Sequence, residues 1–372
     1  MECYLLILEK WKKNKNFNIV KVLNGYFLLN KPKDISSFWA ISRARITLSE
    51  KTKIPFKKIK VGHAGTLDPL AQGLLLCAVG KSTKMLSHLL LSDKKYIAEL
   101  HLGEFSETDD SEGGKYIPNL KKNKNNKHYP DLLEVTNTIN SFIGKIQQTP
   151  PKFSALKING KRACDRVREI SEEKTKIYDE NSTNKKPIEF TDDEIVEIMK
   201  AKTREVEIFD IKILDYTYPK LKIEVHCGTG TYIRSLARDI GEKLQEGAYL
   251  SFLERTQVGC FNLENAVHHN DISEKNIKQF DKFAFGEKFS SLYISDKKII
   301  KRLEQGQKIA FRDLDFENSN ILEIYNKNNF HIQHVLLWFK SEKNNNNLRN
   351  LGVLVGIGEL KHDILIPRKI IL

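Results

Sequence analysis

Three residues of this chain combine a reactive side chain with a setting that suits chemistry. Asp68 lies in Val61–Lys84, VGHAGTLDPLAQGLLLCAVGKSTK, between a histidine-bearing glycine turn (Gly62, His63, Gly65, Thr66) and Pro69, just ahead of an apolar run. Arg234 stands at the opening of a patterned helix, after CGTGTY, and Tyr96 begins an alternating segment, KYIAELHL. A carboxylate held by a guanidinium is fixed in one orientation by charge-assisted hydrogen bonds, which suits a nucleophile or an electrostatic stabiliser. The same pairing also serves as an ordinary structural ion pair. Spacing along the chain leaves open whether Asp68 and Arg234 meet, and Tyr96 alone reads as a core aromatic with a satisfied hydroxyl.

Position now depends on the elements around these residues. Asp followed by Pro is also a helix start, with Asp as N-cap and Pro at the first helical position. Glycines at 62, 65 and 73 oppose a helix, and Leu74–Val79 between Gly73 and Gly80 reads as a short buried strand, so Asp68 is expected on a constrained loop. Upstream, Asn24–Leu29 reads as a strand that turns at Lys31-Pro32, and Ser36 or Ser37 caps a helix from Phe38 to about Leu48 with Trp39, Ile41 and Ile46 among its apolar positions. Lys95–Leu102 and Leu221–His226 alternate as half-buried strands. Ile233, Leu236, Ala237, Ile240 and Leu244 form a core-facing helix stripe, with Arg234 and Arg238 just off it.

The segment Gln147–Lys161 is a Pro-Pro turn followed by a basic, hairpin-like tip. Two polar stretches, 115–129 and 172–201, read as surface inserts, the second with helical character over Asp192–Lys200. From about Phe285 the pattern changes to a short helix, Ile294–Glu304, and short strands over Ile321–Tyr325, His334–Trp338, Leu351–Ile357 and Ile364–Leu372, with a loop over Ser341–Asn350. That run suggests a separate small β-domain.

At 372 residues and 40% hydrophobic content the chain is long enough for two domains. No apolar run approaches the ~20 residues needed to cross a bilayer, and Tyr4–Leu8 is too short for a signal-peptide core, so a cytoplasmic protein is expected. The five cysteines are scattered without a C-x-x-C pair, which indicates neither a disulfide framework nor a zinc site. A formal charge of +13 favours a polyanionic partner and by itself leaves RNA, DNA and acidic membranes open.

GHAGTLDPLAQGLL, followed downstream by KKY, PPKFSALKINGKR and GTYIRSLARDIG, closely resembles the TruB family of pseudouridine synthases, the stand-alone enzymes that isomerise uridine-55 in the T-loop of transfer RNA. The resemblance runs from about Asn24 to the C-terminus, interrupted by the two inserts, and VLVGIGELKHDILIPRKIIL is similar to the end of the family's PUA-like domain. It implies an α+β fold: a mixed or antiparallel β-sheet catalytic core with flanking helices, plus a small C-terminal β-rich PUA-like domain. Residues 1–23 are then an N-terminal extension, 24–283 the catalytic domain and 284–372 the RNA-binding domain.

By the same resemblance Asp68 is the nucleophile, Arg234 its ion-pair partner and Tyr96 the tyrosine that packs on the flipped uracil. His63, with Gly65 and Thr66 in its turn, fills the space left by extruded bases; Tyr232 and Leu253 line the base pocket; Lys84 and Lys157 hold basic positions. The partner implied is the T-arm of tRNA, bound by a monomer without guide RNA, membrane, metal or cofactor. Whether the aspartate attacks ribose C1′ or base C6 stays open. Two departures stand out. Leu253-Glu254-Arg255-Thr256 replaces the family's Leu-Arg-Arg, which is expected to weaken RNA affinity locally, and GEFSETDDSEGG (103–114) has altered spacing. One rival is the dyskerin-like, guide-RNA branch, opposed by Pro150–Arg168; another is a non-catalytic RNA-binding protein or tRNA chaperone, opposed by the joint presence of Asp68, Tyr96 and Arg234.

Overall fold

Apolar runs become strands buried on both faces, and alternating runs become strands with one wet face. The computed structural model of the chain describes residues 23–117, 129–154, 199–281, 284–285, 289–314, 321, 328, 331–340 and 352–372, and the backbone alone of 157–158 and 161–162. In chain order the first part comprises β1 (Gly25–Lys31), α1 (Ser37–Thr52), β2 (Val61–His63), β3 (Gln72–Val79), the one-turn α2 (Leu86–Leu89) and β4 (Lys94–Leu102). There follow β5 (Phe105–Ser106), β6 (Lys115–Tyr116), α3 (Leu132–Asn140), β7 (Gly144–Gln148), β8 (Lys157–Ile158) and β9 (Lys161–Arg162). Then come β10 (Arg204–Thr217), β11 (Lys220–Cys227), α4 (Ile233–Lys243), β12 (Ala248–Val258) and β13 (Phe261–Asn262).

A nine-stranded sheet runs β1-β3-β12-β4-β11-β10-β7, with β2 added to β3 and β13 to β12. All its pairings are antiparallel except a short parallel contact of β3 with β12, where Gln72 faces Glu254 and Gly73 faces Arg255. Every residue of β3 but Gln72 is buried, and each of its leucines contributes ~1.5–3 kcal/mol of burial. The loop that ends in β3 is therefore anchored in the best-buried strand of the sheet. On β4, Tyr96 stands between Val225 of β11 and Arg255 of β12. Helix α4 packs Leu236, Ala237 and Ile240 against the sheet, as its stripe predicts, with Leu244 only partly buried.

Helix α1 is capped by one of the two expected serines and departs from expectation in its apolar face. Ser36 is its cap, accepting from Trp39 N–H at 3.1 Å, while Ser37 turns inward and is buried. Its core face consists of Ala40, Ile41, Ala44 and Leu48, and Trp39 lies outside it, 44% exposed.

The C-terminal part contains β14 (Ser290–Ile294), α5 (Lys297–Glu304), β15 (Ile309–Ala310), β16 (His331–Phe339), β17 (Val353–Lys361) and β18 (Ile364–Ile370), in the sheet order β14-β16-β17-β18-β15. Ile294 ends a strand, and the helix begins after Asp296, whose side chain caps Lys298 N–H at 2.7 Å. Of the strand expected over 321–325, only Ile321 is described; it is buried and helical, not extended. The inserts lie largely outside the described residues; at the end of the second, Met199 and Lys200 are helical.

The α+β architecture thus holds, with a β-rich C-terminal part. That part has a core of its own around Leu292, Leu303 and Leu365. A second cluster joins the two sheets: Leu336, Trp338, Leu354 and Ile357 pack with Tyr26, Leu28, Leu74, Leu76 and Phe261. At the rim of this seam Lys84 Nζ donates to Ile370 O at 2.9 Å, Lys369 Nζ to Ser87 Oγ at 2.6 Å, and Lys81 Nζ to the carbonyl of Leu372. Among the described residues no helix is long and apolar enough to cross a membrane.

Candidate active site

Asp68 rides on the stretch between β2 and β3, whose backbone is tied down along its length. Ala64 N–H donates to Leu76 O at 2.8 Å. Ser37 Oγ spans Leu67, accepting from its N–H and donating to its carbonyl, both at 2.9 Å. Ala71 N–H reaches Asp68 O at 3.1 Å, so Asp-Pro makes a tight turn and starts no helix. The Pro69 carbonyl accepts from Asp34 N–H at 2.8 Å and from Lys31 Nζ at 3.3 Å. Lys31, fully buried, also donates to the carbonyls of Pro32 and Ile35 at 2.9 and 2.6 Å. Burial lowers its pKa to about 8, opposed by the charges of Asp68 and Asp34.

Two glycines make the loop possible. Gly65 has φ +101°, and its carbonyl accepts from Arg255 Nη2 at 3.0 Å. Gly73, at φ +100°, lies so close to β12 that a Cβ would come within 2.5 Å of Arg255 O. Both are left-handed positions that side chains rarely adopt.

Arg234, from the first turn of α4, reaches Asp68 across the sheet. Its Nε lies 2.9 Å from Asp68 Oδ2, an ion pair by distance whose N–H points outside hydrogen-bond geometry. The remaining nitrogens are held from other directions. Nη1 donates to Thr108 O at 3.1 Å and approaches Asp110 Oδ2 at 3.4 Å, and Nη2 donates to Phe153 O at 2.9 Å. The side chain of Asp110 is 4% exposed and that of Asp68 39%, so one buried guanidinium faces a sealed carboxylate and an open one. The open one can meet a ligand.

Leu67, Ala71, Tyr96 and Leu253 belong to the same apolar cluster and form the wall beside the acid. Burial raises the Tyr96 pKa while Arg255 lowers it by charge and by hydrogen bond. Arg255, 1% exposed, also donates Nε to Leu74 O at 2.8 Å, so it ties Tyr96 to the Asp68 loop. His63 is half-buried on β2 beside Cys77. Burial, then the Arg255 charge, lower its pKa, against a backbone hydrogen bond to Gly65; the imidazole is neutral at pH 7.

A second ring of contacts holds the walls. Tyr232 is locked by Gln148, which accepts from its N–H at 2.7 Å and donates to its carbonyl at 3.1 Å, and the Arg204 guanidinium lies 5.3 Å from its ring centre. Arg238 pairs with Asp109 at 2.9 Å and Asp239 at 2.8 Å and donates to Thr149 O at 2.9 Å. Burial raises the Asp109 pKa to about 6, with Arg238 and Arg234 opposing.

The structure thus brings Asp68 against Arg234 and within electrostatic reach of Tyr96, and joins Tyr96, His63 and Gly65 through Arg255; Leu253 shares the Tyr96 cluster, Thr66 is exposed, and Tyr232 immediately precedes α4. Lys84 stands apart, at the seam with the C-terminal sheet. The side chain of Lys157 lies outside the described residues. Glu254 accepts from Gln72 Nε2 at 2.8 Å, so the departure from the family's basic residue is matched by a partner across β3. Sequence reasoning did not place Asp110, Asp109, Lys31 or Arg255 in the site; the adjacent aspartates of SETDDSEGG and the arginine of LERT were the available signals. No group of three or more His, Cys, Asp or Glu side chains that could hold a metal ion occurs among the described residues.

Chemically, the arrangement offers an accessible carboxylate, held by a buried guanidinium, beside an apolar cluster that contains a tyrosine. The family described as TruB family pseudouridylate synthase (N terminal domain) matches residues 51–198, and that described as tRNA pseudouridylate synthase B C-terminal domain matches 234–284. A Clostridium tetani protein named tRNA pseudouridine synthase B is 35% identical over 83% of this chain and 94% of its own length. A Bacteroides fragilis protein of the same name is 37% identical over 68% and 92%. Among solved structures, the archaeal box H/ACA sRNP Nop10-Cbf5 complex aligns with TM-score 0.54 at 15% identity, covering 94% of this chain and 87% of the other. A Cbf5-Nop10-Gar1 complex gives 0.54 at 19%, covering 97% and 92%. At those identities the likeness concerns the fold.

Proposed function

Since the chain belongs to the TruB family of pseudouridylate synthases, we propose that it is a stand-alone tRNA pseudouridine synthase that isomerises uridine-55 of the T-loop, with Asp68 as nucleophile. The observation that carries this reading is the asymmetry around Arg234: of its two carboxylates only Asp68 opens to solvent, beside the apolar cluster of Tyr96 and Leu253. Residues 24–283 carry the chemistry and 284–372 act as a PUA-like RNA-binding unit. The net charge of +13 supports an RNA partner.

The reaction needs the uridine outside the stack, at a cost of a few kcal/mol. His63, neutral and at the loop entrance, fills the space the base leaves, and Tyr96 and Leu253 hold the flipped uracil. Asp68 forms a covalent bond to the nucleotide, at ribose C1′ or base C6. The N1–C1′ bond breaks, the uracil turns, a C5–C1′ bond forms and the bond to Asp68 breaks, which returns the free carboxylate; C5 loses a proton and N1 gains one, so composition and oxidation state are unchanged. Arg234 keeps the carboxylate aimed throughout.

The test is conversion of an unmodified tRNA transcript. Wild-type protein alone should yield pseudouridine at position 55, and Asp68→Asn should yield none while binding RNA within a few-fold of wild type. Product at the wild-type rate from Asp68→Asn would remove Asp68 as nucleophile. Activity only with an added guide RNA would favour a guided enzyme, and salt-sensitive binding without product in any tRNA would favour a chaperone.

A further inference from the structure

The first turn of helix α1 carries Phe38, 79% exposed, and Trp39, 44% exposed. Single exposed apolar side chains are ordinary; Trp39 here has a built surround, and Phe38 stands next to it in the chain. The Arg43 guanidinium lies 5.7 Å from the Trp39 ring centre. His269 and Trp39 meet edge to face with centroids 5.2 Å apart, and the His268 and His269 rings are tilted against each other at 3.8 Å. His269 is buried; burial, then the His268 and Arg43 charges, lower its pKa against Asp271, so it is a neutral wall behind Trp39. Lys51 adds a second cation nearby, donating to Asn270 O at 3.2 Å.

Location gives the patch its meaning. Ser37, the residue before Phe38, is doubly hydrogen-bonded to Leu67, the residue before Asp68. Phe38 and Asp68 are therefore each one peptide step, about 3.8 Å, from the two ends of the same contact. On the other side, Asn30 N–H donates to Val267 O at 2.9 Å, which seats His268 and His269 beside the end of β1 that carries Lys31. The aromatic pair therefore adjoins the loop that carries Asp68. Exposed rings flanked by guanidinium and ammonium groups fit an unstacked nucleobase, whose π-face stacks on the ring while its phosphates meet the cations.

We propose that Phe38 and Trp39, with Arg43, form a stacking platform for a second unpaired base of the RNA substrate, adjacent to the reacting uridine. This rests on the reading of the substrate as RNA. It extends the footprint beyond the pocket onto α1, through side chains whose rings the fold leaves open.

The experiment measures Kd of the full-length protein for an unmodified tRNA transcript, together with KM and the yield of pseudouridine. Phe38→Ala should raise Kd and KM by about tenfold, within the range of about 5- to 150-fold that loss of one base–aromatic stack spans. Phe38→Leu should weaken binding like Ala, and Phe38→Tyr should stay within about twofold of wild type. Thermal unfolding of each variant, expected to match wild type for so exposed a residue, excludes a folding defect. Binding by Phe38→Ala within about twofold of wild type would overturn the platform. So would restoration by Leu, or loss of a co-purifying protein with RNA binding intact. If wild-type protein modifies no tRNA yet Kd still follows the ring, the functional reading falls and the platform stands; product with ring-independent Kd does the reverse.

Discussion

Around Arg234 the chain buries charge, whereas along the seam between the two sheets it buries hydrocarbon and leaves its cations at the rim. The first region holds a 5% exposed guanidinium against two carboxylates and two carbonyls. The second holds Trp338 and Leu336 against Tyr26 and Leu76, while exposed Lys84 and half-buried Lys369 reach across at the rim. Buried charge contributes little net stability but fixes one geometry, and removing a partner is costly. Apolar contact gives stability without direction. The chain uses the first where an atom must be aimed and the second where two bodies must adhere.

The sharpest way to break this contrast is Arg234→Ala. It strands Asp110 and frees Asp68, and the expected outcome is a loss of about 3–5 kcal/mol in unfolding free energy with at least about 10²-fold slower turnover. Urea unfolding and single-turnover pseudouridine formation measure the two effects.

A smaller effect concerns Asp109. Its folded pKa, about 6, lies above the ordinary 3.8 because burial disfavours the charge. Between those values the folded state binds more protons than the unfolded, so this group's contribution to stability grows as pH falls from 6 towards 3.8 and is lost as pH rises through 6. The Tm of wild type relative to Asp109→Asn should therefore increase between pH 7 and pH 5. A difference that is flat with pH would place the titration elsewhere.

The smallest effect is expected at the rim. Lys84→Ala removes one exposed hydrogen bond and should cost no more than about 1 kcal/mol, with pseudouridine formation unchanged within a factor of two. A large loss of RNA binding would instead return Lys84 to the substrate footprint.

Much of this was legible in the residues. Glycines around Asp68 argued for a loop over a helix cap, and the apolar run after it forms β3. The stripe of α4 faces the core as its spacing requires. What spacing could not supply was contact between distant segments. Asp110 belongs to the site only because the 103–114 loop folds over α4, and Arg255 only because β12 lies beside both β3 and β4. Trp39 was placed among apolar helix positions by type, but small residues, Ala40 and Ala44, take the close contacts of α1 and leave the larger ring outside. At Ile294, a strand residue followed by a capping Asp296 was absorbed into the helix pattern, because a short strand and a helix start share their apolar residues.

The positions of two tryptophans carry a practical consequence. Trp338 is wholly enclosed where the sheets meet, and Trp39 is 44% exposed beside the Asp68 loop. With three indoles in the whole chain, the protein holds its own spectroscopic labels at the two regions contrasted above. Emission at the blue edge reports on the hold between the sheets, and quenching by soluble iodide on the exposure of the α1 surface beside the Asp68 loop. Each can be followed in unlabelled protein, in real time, as RNA is mixed in.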